Sequence, residues 1–159
     1  MIVLFILINI NNSNILILGA GGSAMSITSV FIKHSDNTKI SILNRTESNA
    51  NKMIEFFNTN KLTLHNPGDS YDLIINTTPI SMSDNKIIIP DNILKDSSIC
   101  YDLFYSKKKT LFQKWACDHN IEKCYDGLGM LIEQAKRSFI IWNKVVPNID
   151  NLEDKLRII

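Results

Sequence analysis

The chain has 159 residues and a mass of 18.1 kDa, enough to bury the core of one domain but seldom of two. Hydrophobic residues make up 45% of the chain and charged residues 21%, and the formal net charge is +1. This composition excludes a disordered chain and a basic surface that binds nucleic acid.

The N-terminal segment, residues 1–14, has an unusual composition. Its first eight residues read MIVLFILI, and several Asn residues follow. The apolar run is too short to span a bilayer, and a secretory signal would need a basic start and a small-residue cleavage site. We therefore expect no membrane association. Two interpretations stay open, a buried strand or helix end and a segment that contacts a partner in a longer chain.

Strands and helices alternate along the rest of the chain. The hydrophobic spacing predicts strands at residues 15–18, 39–43, 62–64, 71–75 and 98–103, and an extended segment at 121–125. It predicts helices at residues 23–33, 48–57, 110–119, 128–143 and 149–159. This alternation indicates a Rossmann-like α/β fold, a doubly wound parallel sheet with helices on both faces. Ligands bind to such sheets beyond the carboxyl ends of the strands.

A glycine-rich loop follows the first predicted strand. Residues 19–24 read GAGGSA, which fits the pattern G-x-G-x-x-A between a strand and a helix. Gly19 permits a tight turn, Gly21 lets the backbone approach a pyrophosphate, and Ala24 is small enough for close helix packing. The negative charge of the ligand would lie at the helix N-terminus. The motif predicts dinucleotide binding; the alternative is a glycine-rich turn in an unrelated α/β protein.

The residues after the second strand indicate which dinucleotide is bound. NAD-binding proteins place Asp or Glu there, which accepts hydrogen bonds from the ribose hydroxyls. Here the residues are Asn44, Arg45 and Thr46. A guanidinium binds a 2′-phosphate through paired charge-assisted hydrogen bonds, which predicts NADP as the cofactor. Glu47 would offset part of this attraction if it pointed into the site, and a solvated arginine is the alternative interpretation.

These motifs, in this order, resemble the nucleotide-binding domain of shikimate dehydrogenases. Three further segments are similar to motifs of that family: YDLIINTTP at residues 71–79, YDLFY at 101–105 and DGLGMLIEQA at 126–135. The similarity extends over nearly all of residues 14–142. It implies an NADP-dependent oxidoreductase of aromatic amino acid biosynthesis, a cytoplasmic enzyme that reduces 3-dehydroshikimate to shikimate with NADPH.

The resemblance also implies roles for individual residues. The cofactor-binding set comprises Gly19, Ala20, Gly21, Gly22, Ser23 and Ala24 at the pyrophosphate, Asn44, Arg45 and Thr46 at the 2′-phosphate, Thr77 at the end of the fourth strand, and Leu103 and Gly127 near the nicotinamide. Tyr105 and Gln134 correspond to positions that contact the substrate, shikimate or 3-dehydroshikimate. Residue type alone favours a half-buried aromatic for Tyr105 and a solvated side chain for Gln134.

Two departures from the family pattern affect the expected function. Asn49 replaces a second basic residue that many members place near the 2′-phosphate, although Lys52 lies one helical turn away. Shikimate dehydrogenases also carry, before the glycine loop, a domain that binds substrate and supplies a catalytic lysine and aspartate. Eighteen residues precede Gly19 here, so we expect no catalytic residue in this chain.

We expect an NADP-binding domain at residues 15–127 and, at 128–159, helices that in the family pack against the catalytic domain. Three interpretations stay open: a truncated fragment of the enzyme, a subunit of a split enzyme that pairs with a separately encoded catalytic domain, and a stand-alone dinucleotide-binding module with a regulatory role. An uncovered apolar face on the last predicted helix would favour a homodimer.

Cysteines and histidines offer no further catalytic or metal site. The cysteines are Cys100, Cys117 and Cys124, an odd set without metal-ligand spacing. We expect free thiols in a reducing cytoplasm and no metal. The histidines are His34, His65 and His119, all in polar stretches where we expect exposure. No Ser-His-Asp or Cys-His order indicates a nucleophile supported by a base.

Overall fold

The computed structural model describes residues 12–35, 37–82 and 89–158. Most of the apolar segment at residues 1–14 therefore lies outside the described residues. The described part contains six strands: β1 Asn14–Leu18, β2 Lys39–Leu43, β3 Leu62–Leu64, β4 Tyr71–Asn76, β5 Leu94–Asp102 and β6 Cys124–Tyr125. It contains five α-helices: α1 Gly22–His34, α2 Glu47–Phe57, α3 Leu111–Asp118, α4 Leu128–Asn143 and α5 Leu152–Ile158. Short 3-10 turns occupy Pro79–Met82 and Asp91–Ile93.

The strands form one parallel sheet in the order β3-β2-β1-β4-β5-β6. β1 lies in the middle, with Leu18 paired to Leu43 of β2 on one side and to Asn76 of β4 on the other. The order runs outward from β1 to β3 and then resumes at β4, so it reverses between β1 and β4. Doubly wound sheets bind ligands in the crevice at such a reversal. The predicted Rossmann-like fold is confirmed.

The sheet is buried on both faces. In β1, Ile15 and Ile17 pack with Ala24 of α1, whereas Leu16 and Leu18 pack with residues of α3 on the other face. Alternate side chains of a strand point to opposite faces, which is why a strand buried on both sides is apolar throughout. Burying one such aliphatic side chain contributes about 1.5 to 3 kcal/mol, and the two faces together hold β1 in place.

Three elements differ clearly from the predicted ones. β5 begins at Leu94 and not at residue 98, because Lys95 forms an ion pair with Asp72 of β4 at 2.6 Å and holds the polar start of the strand against the sheet. β6 is short because only its two residues pair with β5. α5 begins at Leu152 and not at residue 149; none of its residues is fully buried, although Leu152 is half-buried. None of the described helices combines the length and apolarity needed to cross a bilayer.

Two of the three histidines are less exposed than their polar surroundings predict. His34 is exposed, but His65 and His119 are half-buried, so the expectation is wrong for those two. His65 Nδ1 lies 2.8 Å from Tyr71 Oη, in a hydrogen bond that ties the loop after β3 to the start of β4. Burial lowers the pKa of His65 below its ordinary value, while the nearby Asp69 opposes that shift.

His65 should make the stability depend on pH near neutrality. A pKa that is lower in the folded chain means that protonation favours unfolding. The contribution is therefore complete above the unfolded pKa of about 6.5 and is lost as the pH falls through the folded pKa. We expect His65→Gln to flatten the fall in melting temperature between about pH 7.5 and about pH 5.5, measured by circular dichroism. His34→Gln is the exposed control, and an equal effect of both variants would contradict the prediction.

Candidate functional site

The loop after β1 brings three strand ends together. Gly19 follows β1 with a φ of 108°, in the left-handed region that glycine adopts at low cost. Its N–H donates to the Leu43 carbonyl of β2 at 2.8 Å. On the other side, the Thr77 hydroxyl donates to the Leu18 carbonyl at 2.7 Å. A Cβ on residue 19 would lie 2.6 Å from Thr77 Oγ1, so the contact requires glycine.

The first turn of α1 faces open space. Gly21 is the N-cap of α1, and no side chain caps the helix. A Cβ built on Gly21 or Gly22 would have no heavy atom within 4 Å. The first N–H groups of a helix lack intrahelical acceptors and form the positive end of its dipole. Ser23 is exposed beside them and the first turn has no acidic residue, so this end of α1 can bind an anion.

The loop between β2 and α2 carries an exposed arginine. The Asn44 side-chain amide donates to the Thr46 carbonyl at 2.8 Å and closes the loop. Thr46 is the N-cap of α2, but its hydroxyl makes no capping bond. Arg45 is exposed and has no hydrogen bond or ion pair with the described residues. Glu47 and Lys52 of α2 are exposed as well, so charges of both signs lie on this side of the site.

A buried polar network connects the carboxyl ends of β4 and β5. The fully buried Asp102 carboxylate accepts hydrogen bonds from the Asn76 amide at 2.9 Å and from the Thr110 hydroxyl at 2.6 Å. It accepts another from the Phe104 N–H at 3.1 Å. The side-chain oxygen of Asn76 accepts bonds from both the N–H and the hydroxyl of Thr78. These donors compensate the buried carboxylate for its lost hydration.

Gly127 lies at the turn between β6 and α4 and contacts the chain that follows β5. A Cβ on this residue would overlap the Leu103 carbonyl, so packing against backbone excludes a side chain. The Gly127 N–H donates to the Phe104 carbonyl at 3.1 Å. The Leu103 N–H donates in turn to the Asn76 carbonyl at 3.0 Å. The ends of β4, β5 and β6 are therefore held in one arrangement.

Tyr105 and Gln134 are the two exposed polar side chains of the expected substrate site. Tyr105 is 47% exposed and stacks on Phe104, with ring centroids 6.3 Å apart. Gln134 is exposed on the second turn of α4. Neither side chain has a hydrogen-bonding partner among the described residues. Both can therefore contact a ligand without breaking an existing interaction.

The topology brings most of the expected site residues to one edge of the sheet. The loops at residues 19–24 and 44–46 follow β1 and β2, and Thr77, Leu103 and Gly127 follow β4, β5 and β6. Parallel strands have their carboxyl ends at the same edge, so these positions lie along one edge of the sheet. Gln134 lies farther along α4, and its side chain is not joined to the others by any described contact.

Sequence patterns did not reveal the supporting roles of Asn76, Asp102 and Thr110. One signal was available, since Thr110 and Gln113 form a capping box at the start of α3, with the spacing Thr-x-x-Gln. The bond between Asn76 and Asp102 had no local signal. It depends on the pairing of β4 with β5.

Comparison with known proteins identifies a family. The sequence matches the family model for shikimate / quinate 5-dehydrogenase over residues 3–99. It is 39% identical over 152 residues to the shikimate dehydrogenase (NADP(+)) of Colwellia psychrerythraea, covering 93% of this chain and 55% of that protein. It is 36% identical over 154 residues to the shikimate dehydrogenase (NADP(+)) of Blochmanniella pennsylvanica, covering 91% and 53%. The chain spans about half the length of the curated relatives it matches.

Solved structures share the fold over the same part of the chain. The shikimate dehydrogenase of Aquifex aeolicus is similar with a TM-score of 0.75 and 27% identity, covering 92% of this chain and 53% of that one. A chorismate mutase/shikimate 5-dehydrogenase fusion protein of Clostridium acetobutylicum is similar with a TM-score of 0.76 and 25% identity, covering 98% and 56%.

The buried network should be sensitive to the charge of Asp102. Asp102→Asn replaces an acceptor oxygen with an NH₂ group that faces the donors of Asn76 or Thr110. We expect the free energy of unfolding to fall by about 1 to 3 kcal/mol, measured by urea denaturation. Asp118→Asn, at the exposed end of α3, is the matched control and should change it by less than about 0.5 kcal/mol. Equal stability of the two variants would show that the network does not stabilise the fold.

Proposed function

Because the chain belongs to the shikimate / quinate 5-dehydrogenase family, we propose that it is the NADP-binding part of a shikimate dehydrogenase. In this proposal residues 15–127 form the NADP-binding domain. Residues 128–159 form helices that pack against a substrate-binding part of the enzyme. The proposal gives no role to residues 1–14. The names of the relatives specify NADP(+), which supports the choice of cofactor.

The open space in front of α1 supports diphosphate binding, and this observation carries the proposal. The start of α1 has no capping side chain, and any side chain on Gly21 or Gly22 would enter the space. A diphosphate there accepts N–H hydrogen bonds at the positive end of the helix. Ala20 and Ser23 border the same space, and the buried Ala24 lets α1 pack closely on the sheet.

We assign the 2′-phosphate of NADP to the loop after β2. Arg45 is exposed and makes no ion pair with the described residues, so its guanidinium can bind a phosphate without giving up a partner. Asn44 closes the loop, and Thr46 has a hydroxyl that does not cap α2. Lys52 adds a second positive charge on α2, while Glu47 opposes it.

We assign the nicotinamide to the ends of β4, β5 and β6, near Thr77, Leu103 and Gly127. The buried carboxylate of Asp102 supports these positions from behind, because its hydrogen bonds hold the chain on both sides of Leu103. A rigid support suits this end of the cofactor, since hydride transfer requires the reacting carbons to be held close together.

The proposed reaction is the reduction of 3-dehydroshikimate to shikimate. Bound NADPH supplies the hydride. Tyr105 and Gln134 contact the substrate through side chains that have no hydrogen-bonding partner among the described residues. We assign no catalytic residue to this chain. The proton for the developing alkoxide then comes from the substrate-binding part, which belongs to the same polypeptide or to a separate one.

We infer that the helices after β6 form the contact with the substrate-binding part. Trp142 is 78% exposed and Val146 is 69% exposed at the end of α4 and just beyond it, and large apolar side chains of this kind favour burial against another surface. A second copy of the chain is the other candidate for this contact.

The three cysteines are free, which fits the cytoplasm, where we place the protein.

Gly21→Val tests the diphosphate site. The new side chain enters open space, so we expect the far-UV circular dichroism and the urea midpoint to stay close to wild type. NADPH affinity should fall by at least about tenfold, measured by fluorescence titration, because the side chain occupies the proposed diphosphate position. Ser29→Val, exposed on the same helix, is the matched control. Wild-type affinity in Gly21→Val would rule out the assignment.

Arg45→Met tests the preference for the phosphorylated cofactor. One charge-assisted hydrogen bond contributes about 1.5 to 3 kcal/mol, which corresponds to about a tenfold to hundredfold loss of NADPH affinity. NADH affinity should stay unchanged, because NADH has no 2′-phosphate. Lys52→Met removes the same charge from α2 and should have a smaller effect. If Arg45→Met weakens NADPH and NADH equally, Arg45 does not recognise the 2′-phosphate.

A further inference from the structure

The last helix is tied to the turn that precedes α4 by a two-pronged ion pair. Arg157 of α5 donates from Nη1 to Asp126 Oδ2 at 2.9 Å and from Nη2 to Asp126 Oδ1 at 2.8 Å. The Asp126 side chain is 2% exposed, whereas that of Arg157 is 38% exposed. Glu153, one helical turn earlier, accepts a further bond from Arg157 at 2.7 Å and holds the guanidinium in place.

Asp126 also stabilises the turn at Gly127, on the side that faces α4. Its Oδ1 accepts the N–H of Leu128, the first residue of α4, at 3.2 Å. Gly127 is packed directly against Leu103 and donates to the Phe104 carbonyl. The turn is thus fixed by the chain that follows β5 on one side and by the Asp126 carboxylate on the other.

We propose that Arg157 is a positioning residue for the nicotinamide end of the cofactor site and acts through Asp126 on the turn at Gly127. The inference rests on the proposed function, which assigns Gly127 to that end. It adds a residue far along the chain to the site, since Arg157 and Asp126 are 31 residues apart.

Little apolar packing holds α5 against the rest of the chain. None of the residues of α5 is fully buried: Leu152 is half-buried, and Leu156 and Ile158 are 39% and 85% exposed. Its attachment therefore depends on the ion pair much more than on a hydrophobic core. Because α5 buries little apolar surface but neutralises a buried carboxylate, we expect the loss of Arg157 to affect mainly the turn around Asp126.

The charge of Asp126 is costly if it stays buried alone. It lies near the buried Tyr101, whose pKa is raised to about 12 by burial and by the carboxylates of Asp126 and Glu153. Removing Arg157 leaves the Asp126 carboxylate without its countercharge in this buried setting. The carboxylate is then expected to turn toward water, which weakens its hydrogen bond with the Leu128 N–H.

The loss of Arg157 should not affect the adenosine end of the site. Arg45 follows β2, which is four strand spacings from β6 in the sheet, a distance of about 19 Å. The loop at residues 19–24 follows β1, and no described contact joins it to α5. A positioning effect is therefore confined to one end of the cofactor, whereas general unfolding affects both ends.

The test compares a whole cofactor with its adenosine half. NADPH and adenosine 2′,5′-bisphosphate are titrated against the full chain and its Arg157→Leu variant. We expect NADPH affinity to fall by about threefold to tenfold, and the affinity for the bisphosphate to change by less than about twofold. Arg157→Lys should recover part of the loss, because an ammonium retains the charge but not the two-pronged geometry. Lys155→Leu, which removes an exposed positive charge from the same helix, is the matched control and should change neither affinity.

The outcomes separate this inference from the proposed function. If the wild-type chain binds neither ligand, the proposed function fails. If the wild type binds both, and Arg157→Leu weakens neither ligand or both equally, the positioning role fails and the proposed function stands. The double variant Asp126→Asn/Arg157→Leu removes the buried charge together with the tether. It should still bind NADPH weakly, and full recovery would overturn the inference by showing that only the unpaired charge mattered.

Discussion

The close approach of two loops at Gly19 determines how the edge of the sheet is built. No side chain fits between this residue and Thr77, so the loops after β1 and β4 meet directly. β1 and β4 are neighbours only because the strand order reverses between them. The contact therefore forms at the reversal itself, where doubly wound sheets open a crevice. The chain then turns into α1 with its first N–H groups facing open space.

The two sides of this crevice are built differently. On the side of β1 and β2, Gly21, Ser23 and Arg45 are exposed, and their polar groups are available to a ligand. On the side of β4 and β5, the polar side chains of Asn76 and Asp102 are buried and bind each other. Buried polar groups that are fully paired make a region rigid and specify one arrangement. In the proposed function, the first side supplies the groups that bind the cofactor, and the second side holds it in position.

In the proposed function, the region after β6 connects the crevice to the substrate-binding part. Gly127 packs on the chain after β5, Asp126 bonds to the first residue of α4, and Arg157 ties α5 to the same turn. The exposed apolar side chains at the end of α4 face away from any described partner, and the chain spans about half the length of its relatives. In the proposed function, the same helices that contact the substrate-binding part also support the nicotinamide end, so the two are mechanically linked.

The sequence by itself determined the elements and the loop that begins α1. Three local patterns agree with the structure: the apolar run at residues 15–18, the helical spacing at 128–143 and the GAGGSA loop. Each depends on interactions between residues that are close together in the chain. Only the tertiary structure decided which polar groups meet. Asp102 bonds to a residue 26 positions away and Arg157 to one 31 positions away. Hydrophobic periodicity shows which face of an element is buried, but strand pairing and helix packing decide which side chain lies opposite it.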